Sequence, residues 1–346
     1  MLLNVFQNDA FSVVSLTEAI NQIAFKPGRI GQLGIFTPKF LSTTVAAIES
    51  KGNILRLVPP TPRGGPGNTL PKGGRVMRLF DVPHYEINDA INADEVQNIR
   101  AFGSESELET VLAKVTERQA EHVDNFDVTQ EYARLGAIKG IVTYPLNEDG
   151  SVSRPALNLF NEFGITAPTP LSFNFGATDG ALLKLTTEIT RAMGNALGGT
   201  MFNRIHAFVG DTFFDGLIGS KEVRETYKGT SQAEWLREQR VTHGQQGSSW
   251  GVFEFGGIVW ENYRGQIGTE AFIEPNEARF FPVGVPGLFQ SMYAPADYVE
   301  TVNTIARRLY TKQWPSPNGK RIEMESQMNS LEVCTRPGAL MSATHT

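Results

Sequence analysis

The most enzyme-like stretch of the chain is Gly247-Ser-Ser-Trp-Gly251, which matches the G-x-S-x-G pattern of a nucleophile elbow. In that elbow a serine rides a tight turn between a strand and a helix, and a histidine later in the chain takes its proton. The context argues against it. Before Ser249 the residues are polar (Gln239-Arg-Val-Thr-His-Gly-Gln-Gln), a strand-like run follows, and the sole downstream histidine is His345. His84, His122, His206, His243 and His345 form no short metal-ligand pair, and Cys334 is the single cysteine. His206, inside the apolar run Ile205–Val209, reads as a core residue, and Cys334 as a buried apolar one. Gly64-Gly-Pro-Gly67 and Gly73-Gly74 lack the Lys-Ser/Thr of a phosphate loop, and Gly28, Gly31 and Gly34 lack dinucleotide spacing. The expectation is a non-enzyme with no cofactor, metal or catalytic residue.

Composition narrows the class further. The 346 residues are 40% hydrophobic, with 34 Gly and 19 Pro, which allows a large core and many loops on a β-rich frame. Thirty-one basic against 37 acidic residues give a net charge of −6, the wrong sign for a protein that wraps nucleic acid. Met1-Leu-Leu-Asn-Val-Phe is no signal peptide and no apolar run approaches membrane length, so synthesis in the cytoplasm and no membrane partner are expected.

The positioning elements follow from periodicity. Residues 1–50 read as an extended arm with a short helix at Leu16–Ile23. Strands are expected at Ile54–Val58 and Arg75–Phe80, around a Pro59-Pro-Thr-Pro-Arg-Gly-Gly-Pro-Gly67 tip that can be neither helix nor central strand. Ser104-Glu-Ser-Glu107 is a capping box opening a helix whose apolar spacing runs to Ile138 and stops at Lys139-Gly140. Asp127-Val-Thr-Gln130 is a second possible cap, so a kink is expected there. A hairpin follows, from Ile141–Tyr144 through Asn147-Glu-Asp-Gly150 to Ser151. After a boundary near 170, an α+β region holds a helix at Asp179–Leu197, a strand at Ile205–Val209, a helix around Thr212–Tyr227 and a strand at Trp250–Trp260.

Charge is segregated. Residues 51–80 carry Lys51, Arg56, Arg63, Lys72, Arg75 and Arg78 and no acid. Residues 81–109 carry Asp81, Glu86, Asp89, Asp94, Glu95, Glu105, Glu107 and Glu109 against Arg100 alone. One reading is a solvated acidic face at a helix start. The other lays the basic excursion of one subunit on the acidic patch of the next, which makes Arg56, Arg63, Lys72, Arg75, Arg78, Asp89, Asp94 and Glu95 candidate inter-subunit contacts. In that reading the apolar alternation of Ile54–Val58 and Val76–Phe80 supplies more of the affinity than the charges.

In order along the chain come Arg134-Leu-Gly-Ala-Ile-Lys-Gly140, Ala207-Phe-Val-Gly-Asp-Thr-Phe-Phe-Asp215, Glu277-Ala-Arg-Phe-Phe-Pro-Val-Gly284, Tyr293-Ala-Pro-Ala-Asp297, Glu325-Ser-Gln-Met-Asn329 and Cys334-Thr-Arg-Pro337. Together, and in that order, they resemble the major capsid protein E family of tailed phages, the lambda-like group. One departure is Ser330, where a proline in a turn is expected after Asn329. The resemblance implies an α+β Hong Kong 97-like capsid fold. It divides the chain into an N-terminal arm (1–50), an E-loop (51–85), a P-domain (86–170) with a spine helix over about 105–139, an A-domain (171–320) and C-terminal return strands (321–346). It implies a major capsid protein of a tailed bacteriophage, assembled in the bacterial host cytoplasm into hexamers and pentamers of an icosahedral virion shell around double-stranded DNA. The implied partners are further copies of the chain, scaffold, decoration and portal proteins, and packaged DNA held without specificity. A decoration or tail component, and an enzyme of an unrecognised α+β class, are the alternatives.

Overall fold

The computed structural model describes residues 13–22, 28–51, 75–92, 95, 107–147, 149–177, 180–227, 251–264, 266–267 and 270–345. Two sheets and one long helix carry the architecture. In the first sheet, β1 (Phe36–Phe40) runs parallel to β14 (Phe289–Tyr293), which pairs antiparallel with the second half of β16 (Arg321–Cys334). The first half of β16 is flanked by β15 (Tyr310–Pro315) and β4 (His84–Asn92), both antiparallel. Ser330 therefore lies inside a strand, opposite Tyr293, and the turn expected after Asn329 is absent.

The second sheet has the order β7-β17-β13-β8-β10-β9: β7 (Leu171–Phe173), β17 (Met341–His345), β13 (Glu277–Val283), β8 (Arg204–Val209), β10 (Ile258–Asn262) and β9 (Val252–Phe255). Its apolar face packs against α5 (Ala181–Ala196) and α6 (Asp211–Gly219), around the wholly buried Phe173, Phe213, Trp260 and Phe280. Burying side chains of this size contributes roughly 1.5–3 kcal/mol each. The run Trp250–Trp260 is a hairpin, not one strand. Gly256 and Gly257 take φ of +62° and +75°, the pair of left-handed residues that a tight two-residue turn needs. The helix expected at Thr212–Tyr227 is likewise two, α6 and α7 (Lys221–Tyr227). Ser220 is extended between them, and its hydroxyl bonds the Leu217 carbonyl behind and the Val223 N–H ahead.

At the N-terminal side, α1 (Val13–Gln22) lies near the predicted short helix, followed by α2 (Arg29–Gln32). The extended ribbon pairs β2 (Val45–Lys51) with β3 (Arg75–Asp81). Its first strand thus precedes the predicted Ile54–Val58, which lies outside the described residues, as do the Pro/Gly tip and Ser104 of the capping box. Small pairs β5 (Ile141–Val142) with β6 (Leu157–Asn158), and β11 (Gln266–Ile267) with β12 (Glu270–Ala271), complete the strands. The hairpin predicted from 141 is that first pair, extended by a bridge between Leu146 and Val152. α4 (Leu159–Phe163) follows it.

The long helix α3 (Glu107–Lys139) has 33 residues, about 50 Å at ~1.5 Å per residue. It runs unbroken through Asp127-Val-Thr-Gln130, where a kink is expected from sequence. The reason is tertiary. Asp127 pairs with Arg308, and the Gln130 amide donates to the Tyr293 hydroxyl at 2.7 Å and to Glu332 at 2.8 Å, so neither side chain is available to cap a new helix. The stop comes at Gly140, with φ +82° and its N–H on the Ala137 carbonyl. A β-carbon there would enter the Phe160 ring of α4. Gly140→Val combines left-handed strain with that overlap, so a loss of about 3 kcal/mol or more is expected. Soluble yield and melting temperature of the variant subunit measure it; wild-type values would remove Gly140 as the helix stop.

Candidate assembly surfaces

The β2–β3 ribbon has two unlike faces. Ala46, Ile48 and Phe80 are buried against the body, Phe80 stacking with Phe163 at 6.0 Å between ring centres. Arg78 belongs to this inner face: its Nε and Nη2 donate to the carbonyls of Glu162 and Phe163 at 2.7 and 3.1 Å, and its guanidinium lies over the Phe163 ring. The outer face carries Met77 and Leu79, 61% and 66% exposed. The alternation expected to carry inter-subunit affinity is therefore split: Phe80 belongs to the subunit's own core, and the outward apolar residues are Met77 and Leu79. Sequence could not choose between the faces, because both Val76–Phe80 alternates contain apolar residues.

The acidic segment is partly neutralised at home. Arg118 of α3 approaches Asp89 at 3.5 Å, Glu95 at 3.4 Å and Glu121 at 3.2 Å, and Asp89 also faces His122 at 3.5 Å. Bonds from Asn92, then from Arg118, hold Glu95 below the ordinary carboxylate range. Of the other candidate contacts, Arg75 opens β3, while Arg56, Arg63, Lys72 and Asp94 lie outside the described residues.

A third surface had no sequence signal. An open, mainly apolar groove of about 730 Å³ runs between the C-terminal third of α3 and the 143–156 hairpin, lined by Tyr132, Leu135, Tyr144, Leu146, Val152 and Phe272. Leu146 and Val152 are 60% and 69% exposed. Lys139 and Arg154 also line it, Arg154 over the Tyr144 ring with a bond to the Asp81 carbonyl.

The residues weighed for chemistry make the following contacts where they are described. His206 Nε2 donates to buried Glu261 at 2.9 Å, and Glu261 also receives Arg29 Nε and Nη2 at 2.5 and 2.8 Å. Burial alone would raise Glu261, but these bonds outweigh it and hold the carboxyl below its ordinary value. His345 stacks on Phe175, and burial pushes the Cys334 thiol up to about 12. Ser249 and His243 lie outside the described residues. Among the described residues no group of three or more His, Cys, Asp or Glu could hold a metal ion, and no helix is long and apolar enough to cross a membrane.

The family description "Phage major capsid protein E" matches residues 12–345. The chain belongs to that family. It is 29% identical over 340 residues to the major capsid protein of Pseudomonas phage KPP10, covering 94% of this chain and 95% of that one. It is 23% identical to the major capsid protein of Salmonella phage Felix O1, covering 97% and 96%. Among solved structures, a capsid protein assigned to a prophage of Escherichia coli CFT073 superposes with a TM-score of 0.59 at 12% identity, over 97% of this chain and 99% of that one. The fold is the α+β, Hong Kong 97-like capsid fold that the sequence resemblance implies. The function is that of a phage major capsid protein, a structural component of the virion that associates with its own copies.

In this capsid subunit the Arg29–Glu261–His206 group ties the N-terminal segment to the second sheet. Removing one partner of a buried pair leaves the others uncompensated, so Glu261→Ala is expected to cost about 3 kcal/mol at pH 7. A depressed carboxyl contributes stability above its unfolded value, ordinarily 4.5, and loses it as pH falls through the lower folded value. Urea midpoints of the two proteins should therefore differ at neutral pH and converge in acid below that point. A gap that does not change with pH would show that Glu261 acts through packing alone.

Proposed function

We propose that the chain is the building block of an icosahedral phage shell, forming hexamers and pentamers through heterologous contacts in which the β2–β3 ribbon of one subunit lies on the next. The observation that carries this reading is the ribbon's outer face. A two-stranded ribbon has little core of its own. Its inner face is anchored on the subunit's own α4, yet Met77 and Leu79 are presented to solvent, which is where a neighbour gains most from apolar burial. In this reading residues 1–50 act as the arm, 51–85 as the E-loop, 86–170 as the P-domain with α3 as spine, 171–320 as the A-domain and 321–346 as the return strands. The two-sheet division supports that layout, although the last strand, β17, joins the second sheet between β7 and β13.

Charge then sets register rather than strength. Exposed pairs contribute roughly 0–1 kcal/mol each, and Arg118 already occupies Asp89 and Glu95. The net charge of −6 suits an inner wall that must release DNA, so contact with packaged genome is non-specific. Scaffold, portal and decoration proteins are the further partners of this reading, with assembly in the host cytoplasm. The subunit has no catalytic role in it.

The test is electron microscopy of the purified chain, expressed alone and with the proteins encoded beside it. Uniform round shells or six-fold capsomers are expected. Met77→Asp/Leu79→Asp should leave the subunit's melting temperature unchanged and lower shell yield roughly tenfold or more, the effect of about 1.4 kcal/mol per contact. Arg78→Glu, in contrast, should destabilise the subunit itself, because Arg78 holds carbonyls of its own chain. Normal shells from the Met77/Leu79 variant would remove the ribbon face from the contact.

A further inference from the structure

The connection from Tyr293 to Tyr310 has its polarity inverted. Thr301 is 8% exposed and its hydroxyl donates to the Ala296 carbonyl at 2.8 Å, whereas Val299, Val302 and Ile305 are 89%, 63% and 74% exposed. Val299–Thr301 is a 3-10 turn, in which residues three apart eclipse, so Val299 and Val302 share one edge. The loop is pinned. Thr301 N–H bonds the Tyr298 carbonyl at 3.0 Å, Thr304 N–H the Thr301 carbonyl at 3.2 Å, and Ala306 N–H the Leu41 carbonyl at 2.7 Å. Asn303, at φ +59°, is the single non-glycine residue with a left-handed backbone among the described residues. Asparagine accepts that conformation more readily than other side chains, and here it turns the chain between Val302 and Thr304. A lone subunit gains nothing by holding three aliphatic side chains in water on a fixed loop, whereas an interface does.

We infer that the Val299–Ile305 loop of one subunit seats in the groove between α3 and the 143–156 hairpin of a second copy, a contact distinct from the β2–β3 ribbon. The inference rests on the shell reading above. Three observations select this occupant. The family is one whose members associate with themselves. The groove is the apolar counterpart of the loop, with Leu146 and Val152 exposed, Tyr132 and Tyr144 half-buried and Phe272 buried at its floor. Charge is complementary on one side: Asp297 precedes the loop and Glu300, bonded to Lys312, lies within it, while Arg154 and the half-buried Lys139 line the groove. Arg307, on the far side of the loop, pairs with Glu18 of its own chain. Loop and groove are different patches built on different elements. In the rings of the shell reading this contact is heterologous and passes from subunit to subunit, whereas a reciprocal two-fold pairing of the same patches would close a dimer.

Cysteine crosslinking in assembled particles tests it. The chain's own Cys334 is wholly buried and does not compete. Ile305→Cys/Val152→Cys particles oxidised with diamide should give a ladder of disulfide-linked multimers on a non-reducing gel, and each single variant should give none. Normal particles without a ladder overturn the inference while leaving the shell reading intact. Ile305→Cys alone yielding linked dimers also overturns it, because the loop then meets its own copy. An unmodified chain that forms no particles removes the shell reading and this inference together. Independently, Val302→Asp/Ile305→Asp should reduce particle yield roughly tenfold or more with the subunit's melting temperature unchanged. Undiminished yield overturns the proposal.

Discussion

Glu332 is wholly buried on β16, where that strand crosses α3, and a carboxylate in that position must be hydrogen-bonded or neutralised. Burial pushes its carboxyl above the ordinary range, partly offset by Arg134 and by bonds from Ser291 and Gln130. Those partners come from β14 and from two successive turns of α3. Satisfying one carboxylate thus fixes the rotation and the sliding position of helix on sheet at once. Asp127, Gln130, Glu131 and Arg134 share the α3 face, at the three- and four-residue spacings that place side chains side by side. A helix with this polar seam has one seating, where an apolar face would permit neighbouring ones.

The same face fixes the N-terminal segment. Glu131 accepts the Ile30 and Gly31 N–H groups at 2.6 and 3.2 Å, capping α2 from outside the segment. Ile30 is itself fully buried, and Arg29 reaches Glu261 on β10. Two carboxylates on separate elements therefore hold a four-residue helix too short to be stable alone. Three carboxylates are thus satisfied inside the subunit, while several aliphatic side chains are left outside. Val299, Val302, Met77 and Leu79 are more exposed than any buried residue needs to be, and Glu131, Glu261 and Glu332 are less so than isolated carboxylates tolerate. The inversion is coherent for a chain whose final environment is a wall of its own copies.

Periodicity and punctuation carried much of the fold. The long helix, its stop at Gly140, the strand at 204–209 and the helix at 181–196 depend on local signals, namely apolar spacing and glycines with positive φ. What local signals missed was decided elsewhere in the chain. The second helix cap expected at Asp127 is not made, because its carboxylate pairs with Arg308, 181 residues away. The Gly256-Gly257 turn was readable in principle, but the surrounding aromatic alternation hid it. Surface assignment fared worse for a physical reason. Strand alternation gives two faces without saying which is inside, so Arg78 looked free when it is bound to Glu162 and Phe163. An exposed Val299 is indistinguishable in sequence from a core valine until Thr301 is seen to be buried beside it.

Shell geometry explains why strength and register would be assigned to different residues. In the proposed shell, identical subunits would form both five-fold and six-fold rings, so each contact would have to tolerate a change of angle. Apolar contacts are non-directional and tolerate such a change, whereas bidentate ion pairs do not. Two of the chain's strongest directional bonds fall inside the subunit, where no angle needs to change: Arg29 on Glu261 and Glu131 on the α2 amides. The exposed faces of the ribbon, the groove and the 299–305 loop offer mainly methyl groups and aromatic rings. A stiff interior with adaptable apolar contacts is the combination that lets one sequence occupy inequivalent positions without refolding.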